Sequence, residues 1–220
     1  MITVHHLNNS RSQRVLWLLE ELELAYEIVK YERDKATMLA PAELQKIHPL
    51  GKSPVITDAG ETIAESGAIL EYLVEKYGNG RLAPARGTAA FTDYRYFLHY
   101  AEGSLMPFLV MKLVFTRVKT AKMPFFVKPV ARRIADGVSA QFVTPNLTRH
   151  LKFIDDHLAT HAWFAGDGLS AADIQMSYPM EAITSRVKEL ATPRMGEWVA
   201  KIRARPAFAR ALERGGPYEF

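Results

Sequence analysis

Two hydrophobic periodicities alternate over the first eighty residues, and only one persists afterwards. Ile2, Val4 and Leu7 suggest a short strand over residues 2–7, and Asn8-Asn9-Ser10 is turn chemistry. From Arg14 to Leu22 the apolar positions Val15, Leu18, Leu19 and Leu22 are spaced i, i+3, i+4, i+7, the stripe of an amphipathic helix. Tyr26 to Tyr31 reads as a second strand, and Pro41 to Ile47 as a short helix ending near Pro49. Val55–Thr57 and Thr62–Ala64 flank the turn Asp58-Ala59-Gly60-Glu61 and predict a hairpin. Ile69, Leu70, Leu73 and Tyr77 form another helical stripe, stopped by Gly78 and Gly80. The order β-α-β-α-β-β-α describes a small α/β unit whose first two strands are parallel with a right-handed crossover.

Residues 82–87, Leu-Ala-Pro-Ala-Arg-Gly, read as a linker, and strand signals vanish beyond them. Helical patterns run from Thr88 to about Lys119, Pro124 to about His161, Ala171 to Leu190 and Gly196 to Arg203, with a short one after Pro206. The division is therefore an α/β domain over residues 1–81 and an all-α domain over 88–220. Within the second domain, Leu169-Ser170-Ala171-Ala172-Asp173-Ile174 predicts a capping box from Ser170 to Asp173, stapled by Leu169 against Ile174.

Composition narrows the functional classes. The chain has 220 residues, 48% of them hydrophobic and 24% charged, enough for a sizeable core. It contains no cysteine, so it has no disulfide framework and supplies no thiolate. That fits a reducing compartment. No basic-then-apolar leader precedes the first strand, and no window approaches the ~20 apolar residues that span a bilayer. The expected location is cytoplasmic, with no membrane insertion. The net charge of +4 includes a loose cluster from Arg117 to Arg133, read as the solvated face of helices and loops. No nucleic-acid-binding signature accompanies it.

The most specific stretch is His48-Pro49-Leu50-Gly51-Lys52-Ser53-Pro54-Val55-Ile56, followed by Glu65-Ser66 at a helix start. A proline at the mouth of a strand marks an edge, a turn or a cis bond. A cis bond here presents the Ser53 backbone outward, free to pair with an extended peptide. Unsatisfied N–H groups at the Glu65-Ser66 helix start attract a carboxylate. The two features together suggest a site for a small anionic peptide. The pairing resembles the N-terminal half of cytosolic glutathione transferases, and the Ser170–Asp173 box resembles the motif that starts a core helix in their C-terminal half. The run Asn8 to Leu22 is similar to the serine-type, bacterial and fungal group called Gtt1-like. The resemblance covers essentially the whole chain. It implies a thioredoxin-like N-terminal domain, an all-α C-terminal domain, a homodimer, and a detoxifying glutathione transferase with glutathione as co-substrate and no other cofactor.

The resemblance assigns roles residue by residue. Ser10, at the turn before the first helix and four residues ahead of Arg14, would donate to the glutathione sulfur; Ser12 and Asn9 are rival donors. The Ser53 backbone would pair with the cysteinyl unit, while Glu65 and Ser66 would hold the γ-glutamyl group. Lys52 would reach the glycyl carboxylate, with Gln45 a weaker second. Tyr100, Ser104 and Phe108, at i, i+4, i+8 of the first long helix, are the candidate electrophile contacts, although such a stripe is more often core. His5 and His6 alternate on a strand with no partner at metal-ligand spacing, so no metal site is expected. A Ser-His-Asp hydrolase is disfavoured by the lack of a Gly-x-Ser-x-Gly elbow. The competing reading is a non-catalytic binding or accessory protein on the same scaffold.

Overall fold

The computed structural model describes residues 1–35 and 37–216; residues 217–220, which the expected second domain includes, lie outside the described residues. The N-terminal domain is a four-stranded mixed sheet in the order β2-β1-β3-β4. The central strand β1 (Ile2–Leu7) pairs in parallel with β2 (Tyr26–Tyr31), Ile2 opposite Tyr26 and Leu7 opposite Tyr31. On its other side it pairs antiparallel with β3 (Val55–Asp58), which makes a hairpin with β4 (Glu61–Ala64). Helix α1 (Ser12–Glu21) links β1 to β2, α2 (Glu43–Ile47) follows β2, and α3 (Ser66–Tyr77) follows β4. This is the thioredoxin-like arrangement that the alternating periodicities indicate.

Helix α1 starts two residues before Arg14, because the Ser10 and Arg11 carbonyls accept from the amides of Gln13 and Arg14. Every residue from Ser12 to Leu19 is buried, polar ones included. One face lies on the sheet and the other is covered by the last helix, α10 (Pro206–Gly215). Trp17 packs edge-on against Phe208 at 5.1 Å, and Arg205 and Arg210 pair with Glu21 and Glu20.

The C-terminal domain is entirely helical among the described residues. The first long pattern splits into α4 (Ala89–Tyr100) and α5 (Met106–Thr120), joined without a break by a wide π-helical turn over Ala101–Leu105. The second splits the same way: α6 (Lys128–Val138) and α7 (Thr144–Thr160) are joined by a π turn over Ser139–Val143. Each π turn is followed by a proline at the second position of the next helix, Pro107 and Pro145. A proline ring collides with the carbonyl four residues back in a regular helix, and a widened turn relieves that clash. Helix α8 (Ala171–Arg186) runs through the middle, buried over most of its length. Its capping box forms as the sequence indicates: Asp173 accepts from the Ser170 amide at 2.9 Å and from the Phe164 amide at 2.8 Å. Helix α9 (Pro193–Arg203) then leads to α10.

One carboxylate fastens α3 to the sheet. Asp58, 3% exposed at the end of β3, accepts from the Tyr77 hydroxyl at 2.5 Å and from Tyr72 and Lys76 at 2.9 Å. Burial alone would raise its pKa, but donation from Tyr77, Lys76 and Tyr72 outweighs burial and holds it at about 2. A carboxylate with a depressed folded-state pKa adds stability that is present above its unfolded value and is lost as pH falls through the folded value. Unfolding free energy should therefore drop by on the order of 1–2 kcal/mol between about pH 4 and pH 2 because of this group, discounted for the partly exposed Lys76. Denaturant titrations of wild type and Asp58→Asn across that range test this: the variant should lose stability at neutral pH and show a flatter acid limb. Parallel acid limbs would refute it.

Candidate functional site

The loop from α2 into β3 and the turn from β4 into α3 enclose a cavity of about 250 Å³ lined by Arg11, Lys52, Ser53, Pro54, Glu65, Ser66 and Glu102, with His48, Leu50 and Ala64. The Ser53–Pro54 peptide is cis. The Ser53 hydroxyl donates to the His5 carbonyl at 3.0 Å and accepts from the Leu7 amide at 3.3 Å. Its side chain is thus held by β1, and its backbone edges the cavity. Glu65 caps α3 with φ 73°, a conformation a non-glycine residue adopts only when its surroundings enforce it. The exposed Glu65 side chain projects beside the first turn of α3, while Ser66 is buried, its hydroxyl 3.4 Å from Gln175 Nε2. Four of the expected site residues, Lys52, Ser53, Glu65 and Ser66, therefore share one concavity.

Gln45 does not line this cavity. It is exposed on α2 and packs over Gly51, where an added Cβ would stand 2.7 Å from Gln45 Cγ. Gly51 also has φ +57°, so both the left-handed turn and the close approach call for glycine. Conversely, Arg11, His48, Leu50 and Glu102 border the cavity without having been singled out from the sequence. The loop position of His48 and Leu50 next to Ser53-Pro54 was the available signal; Glu102 had none, because a regular helix gives no reason to point it here.

Ser10 sits just behind the wall, 3% exposed, its hydroxyl 3.4 Å from that of Ser53. It belongs to a buried chain of hydroxyls. Ser10 Oγ lies 2.7 Å from Ser12 Oγ, which lies 2.8 Å from His6 Nδ1. Burial together with Lys30 pushes the His6 pKa down to about 4, against a smaller opposing contribution from the Gly215 backbone. The ring is neutral near pH 7, and in the tautomer that carries its proton on Nε2 the Nδ1 atom is an acceptor. In that tautomer Ser12 donates to His6 and Ser10 to Ser12, with the Leu7 carbonyl 3.5 Å from Ser12 and the Ser53 hydroxyl 3.4 Å from Ser10 as further acceptors. The Ser10 oxygen meanwhile accepts from the Ser12 amide at 3.2 Å. Asn9 is exposed, in the left-handed region at φ 49°.

A second cavity of about 400 Å³ adjoins the first, with Arg11 in the wall of both. Met106, Leu109, Val110 and Leu113 of α5 and Tyr178 and Ala182 of α8 make it largely apolar. The expected contacts Tyr100, Ser104 and Phe108 are elsewhere. Tyr100 bonds His150 at 2.7 Å, Phe108 packs on Phe142 and His150, and Ser104 borders a separate surface depression with Tyr96 and His99. The i, i+4, i+8 spacing assumes 3.6 residues per turn. The π turn between Tyr100 and Phe108 breaks that phase and rotates Met106, Leu109 and Leu113 to the cleft instead.

Between the cavities and the core lies Arg14, 1% exposed. Its guanidinium donates to Gln175 Oε1 at 2.7 Å, pairs with the Glu102 carboxylate and stacks 5.1 Å from the Tyr178 ring centroid. Arg11 holds both oxygens of Glu102 at 2.8 and 2.9 Å. Burial would raise the Glu102 pKa, but Arg14 and Arg11 outweigh it and hold the carboxyl below its ordinary range.

Comparison with known proteins is consistent along the whole chain. Residues 1–75 match the family described as "Glutathione S-transferase, N-terminal domain", and residues 119–215 match "Glutathione S-transferase, C-terminal domain". Glutathione S-transferase 3 of Schizosaccharomyces pombe is 37% identical, covering 97% of this chain and 88% of its own. Glutathione S-transferase 1 of Saccharomyces cerevisiae is 34% identical, covering 97% and 95%. The crystal structure of a glutathione S-transferase from Actinobacillus pleuropneumoniae superposes with a TM-score of 0.80 at 28% identity, over 99% of this chain and 94% of that one.

Removing one partner of a buried pair leaves a charge without compensation, at a cost of about 3–5 kcal/mol. Glu102→Ala should therefore destabilise the protein through Arg14, by less than that amount because Glu102 is 28% exposed and Arg14 keeps Gln175 and Tyr178. Arg14→Met in the same background should recover a large part of the loss. Thermal and denaturant unfolding of the two single variants and the double variant measure the coupling; purely additive losses would mean that Glu102 does not compensate Arg14.

Proposed function

The chain belongs to the glutathione S-transferase family, and on that premise we propose that the cavity at Ser53-Pro54 and Glu65-Ser66 binds glutathione while the adjoining apolar cavity takes its electrophile. The reaction is conjugation: the glutathione sulfur attacks an electrophilic carbon, a C–S bond forms and the leaving group departs with its electron pair. The observation that carries this reading is the shared wall. A cation, Arg11, stands where a polar, peptide-sized cavity meets an apolar one. The α/β domain, residues 1–81, holds glutathione, and the helical domain, residues 88–220, supplies the electrophile side. Glutathione is consumed as co-substrate. The family resemblance supports a homodimer, a cytoplasmic setting and a detoxifying role.

The protein's chemical task is to make thiolate available. A free thiol with a pKa of ~8.5 is only a few per cent ionised at pH 7, so each unit of depression gives up to about tenfold more nucleophile. Three groups favour the anion here: the Ser10 hydroxyl, the positive end of α1 and the Arg11 guanidinium. The Ser53 backbone aligns the cysteinyl unit, Lys52 meets the glycyl carboxylate, and Glu65 takes the γ-glutamyl ammonium beside the Ser66 hydroxyl and amide. In the second cavity, Met106, Leu109 and Leu113 receive the apolar body of the electrophile. Ser10 must turn its proton from Ser12 to the sulfur, an exchange of one acceptor for a stronger, charged one.

Ser10→Ala should leave folding and glutathione binding nearly intact, raise the pKa of the bound thiol and lower turnover near neutral pH by about ten- to a hundredfold, one charge-assisted bond being worth roughly 1.5–3 kcal/mol. Ser12→Ala, which removes the competing acceptor, should keep activity. Thiolate absorbance against pH and turnover with an aryl halide are the readouts. Full activity in Ser10→Ala, with loss in Ser12→Ala or in Asn9→Ala, would reassign the donor. If glutathione binds but no aryl halide is conjugated, assays with peroxides and mixed disulfides separate a reductase from a non-catalytic binding protein.

Glu65→Ala should act on binding instead. Its contact with the ammonium exists in ground and transition states alike, so KM for glutathione should rise more than kcat falls. A charge-assisted bond of roughly 1.5–3 kcal/mol corresponds to about ten- to a hundredfold in affinity. Calorimetric titration with glutathione measures it, and unchanged affinity in a folded variant would move the γ-glutamyl site elsewhere.

A further inference from the structure

The turn between α5 and α6 presents two adjacent phenylalanines to solvent. Phe125 is 87% exposed and Phe126 67%, their rings edge-to-face at 5.6 Å. The apolar surface continues onto α6 through Val127, Val130 and Ile134, which are 39%, 58% and 60% exposed and spaced i, i+3, i+7 on one outward face. Only Ala135 of this helix is buried. Along the chain the patch is flanked and interleaved by Arg117, Lys119, Lys122, Lys128, Arg132 and Arg133, and no acidic residue occurs between positions 117 and 133. Of these cations, Lys119 is paired, with Asp136. Contiguous exposed apolar surface is uncommon on a soluble monomer and marks a surface that something covers.

We propose that this face, the Phe125-Phe126 turn with helix α6, is an adsorption surface for an anionic lipid bilayer. A surface-lying helix is recognised by an apolar face rimmed by Lys and Arg, independent of the length needed to span. No helix among the described residues is long and apolar enough to cross a membrane, and none is required here. The proposal revises the expectation of no membrane insertion only to the depth of these side chains. Charge decides between occupants. A second copy docking symmetrically would set this basic patch against itself, cation facing cation. Nucleic acid would match the cations but would leave Val127, Val130 and Ile134 with nothing to pair. Acidic headgroups match the rim and acyl chains match the centre. Each cation close to an anionic surface strengthens adsorption about fivefold, and each buried phenylalanine about ten- to a hundredfold.

The test is co-sedimentation of the full chain with phosphatidylcholine vesicles, with and without phosphatidylserine. Wild type should pellet with the phosphatidylserine vesicles and be released by high salt. Phe125→Ser/Phe126→Ser should bind at least tenfold more weakly, and Arg132→Gln/Arg133→Gln should lose the preference for phosphatidylserine. Conjugation of a water-soluble aryl halide should be unchanged in both variants, since none of these residues borders either cavity. Three results would overturn the proposal: no pelleting with phosphatidylserine vesicles, equal pelleting of the Phe125→Ser/Phe126→Ser variant, or a change in oligomeric state in that variant by sedimentation velocity, which would make the face a contact between chains.

Discussion

A guanidinium sealed from water at the domain junction constrains this architecture more than any other group. An ion in that position demands charge and hydrogen-bond compensation on all sides, and its absence would cost more than most core substitutions. Arg14 draws its partners from distant parts of the chain: Glu102 from the π turn, Gln175 and Tyr178 from the central helix α8. Gln175 in turn reaches Ser66 Oγ and the Leu98 carbonyl. The start of α3, the wall of the apolar cavity and the core helix are thereby referenced to one cation. The two cavities meet at Arg11 because the carboxylate that compensates Arg14 also holds Arg11.

Local patterns made much of the fold legible in advance. The strands, the hairpin and the helices of the α/β domain follow from period-two and period-3.6 spacing, and the start of α8 follows from Ser170 and Asp173. These features depend on neighbours within a few residues. The exhaustive burial of α1 does not. Its sequence shows one apolar stripe, but Gln13 and Arg14 are covered as well, because α10 returns from far along the chain to lie over Gln13 while α8 and Glu102 enclose Arg14. The two π turns were legible only in retrospect, from Pro107 and Pro145 inside otherwise unbroken helical patterns.

The candidate site divides along the same line. Lys52, Ser53, Glu65 and Ser66 belong to a motif written in contiguous residues, and they share a cavity. Gln45 lies outside that cavity because its helix turns it over Gly51. Tyr100, Ser104 and Phe108 lie outside the second cavity because a spacing rule for ideal helices does not hold across a turn that is not ideal. Ser10 is a subtler case. Its position was readable, but the buried chain of contacts that runs from it through Ser12 to His6 is one that no local pattern announces.

The π turn over Ala101–Leu105 has a meaning for how such a chain can vary. A π turn holds one residue more than a regular helix needs for that stretch. Deleting a single residue there would restore uniform pitch and leave α5 presenting the same face, because the lost residue and the lost widening cancel. Regular pitch at unchanged length would instead turn α5 by ~100° and carry Met106, Leu109 and Leu113 out of the cleft together. The pitch of one turn, separate from the identity of the residues beyond it, therefore decides which side chains of α5 line the second cavity, and a length change that removes the widened turn leaves that lining in place.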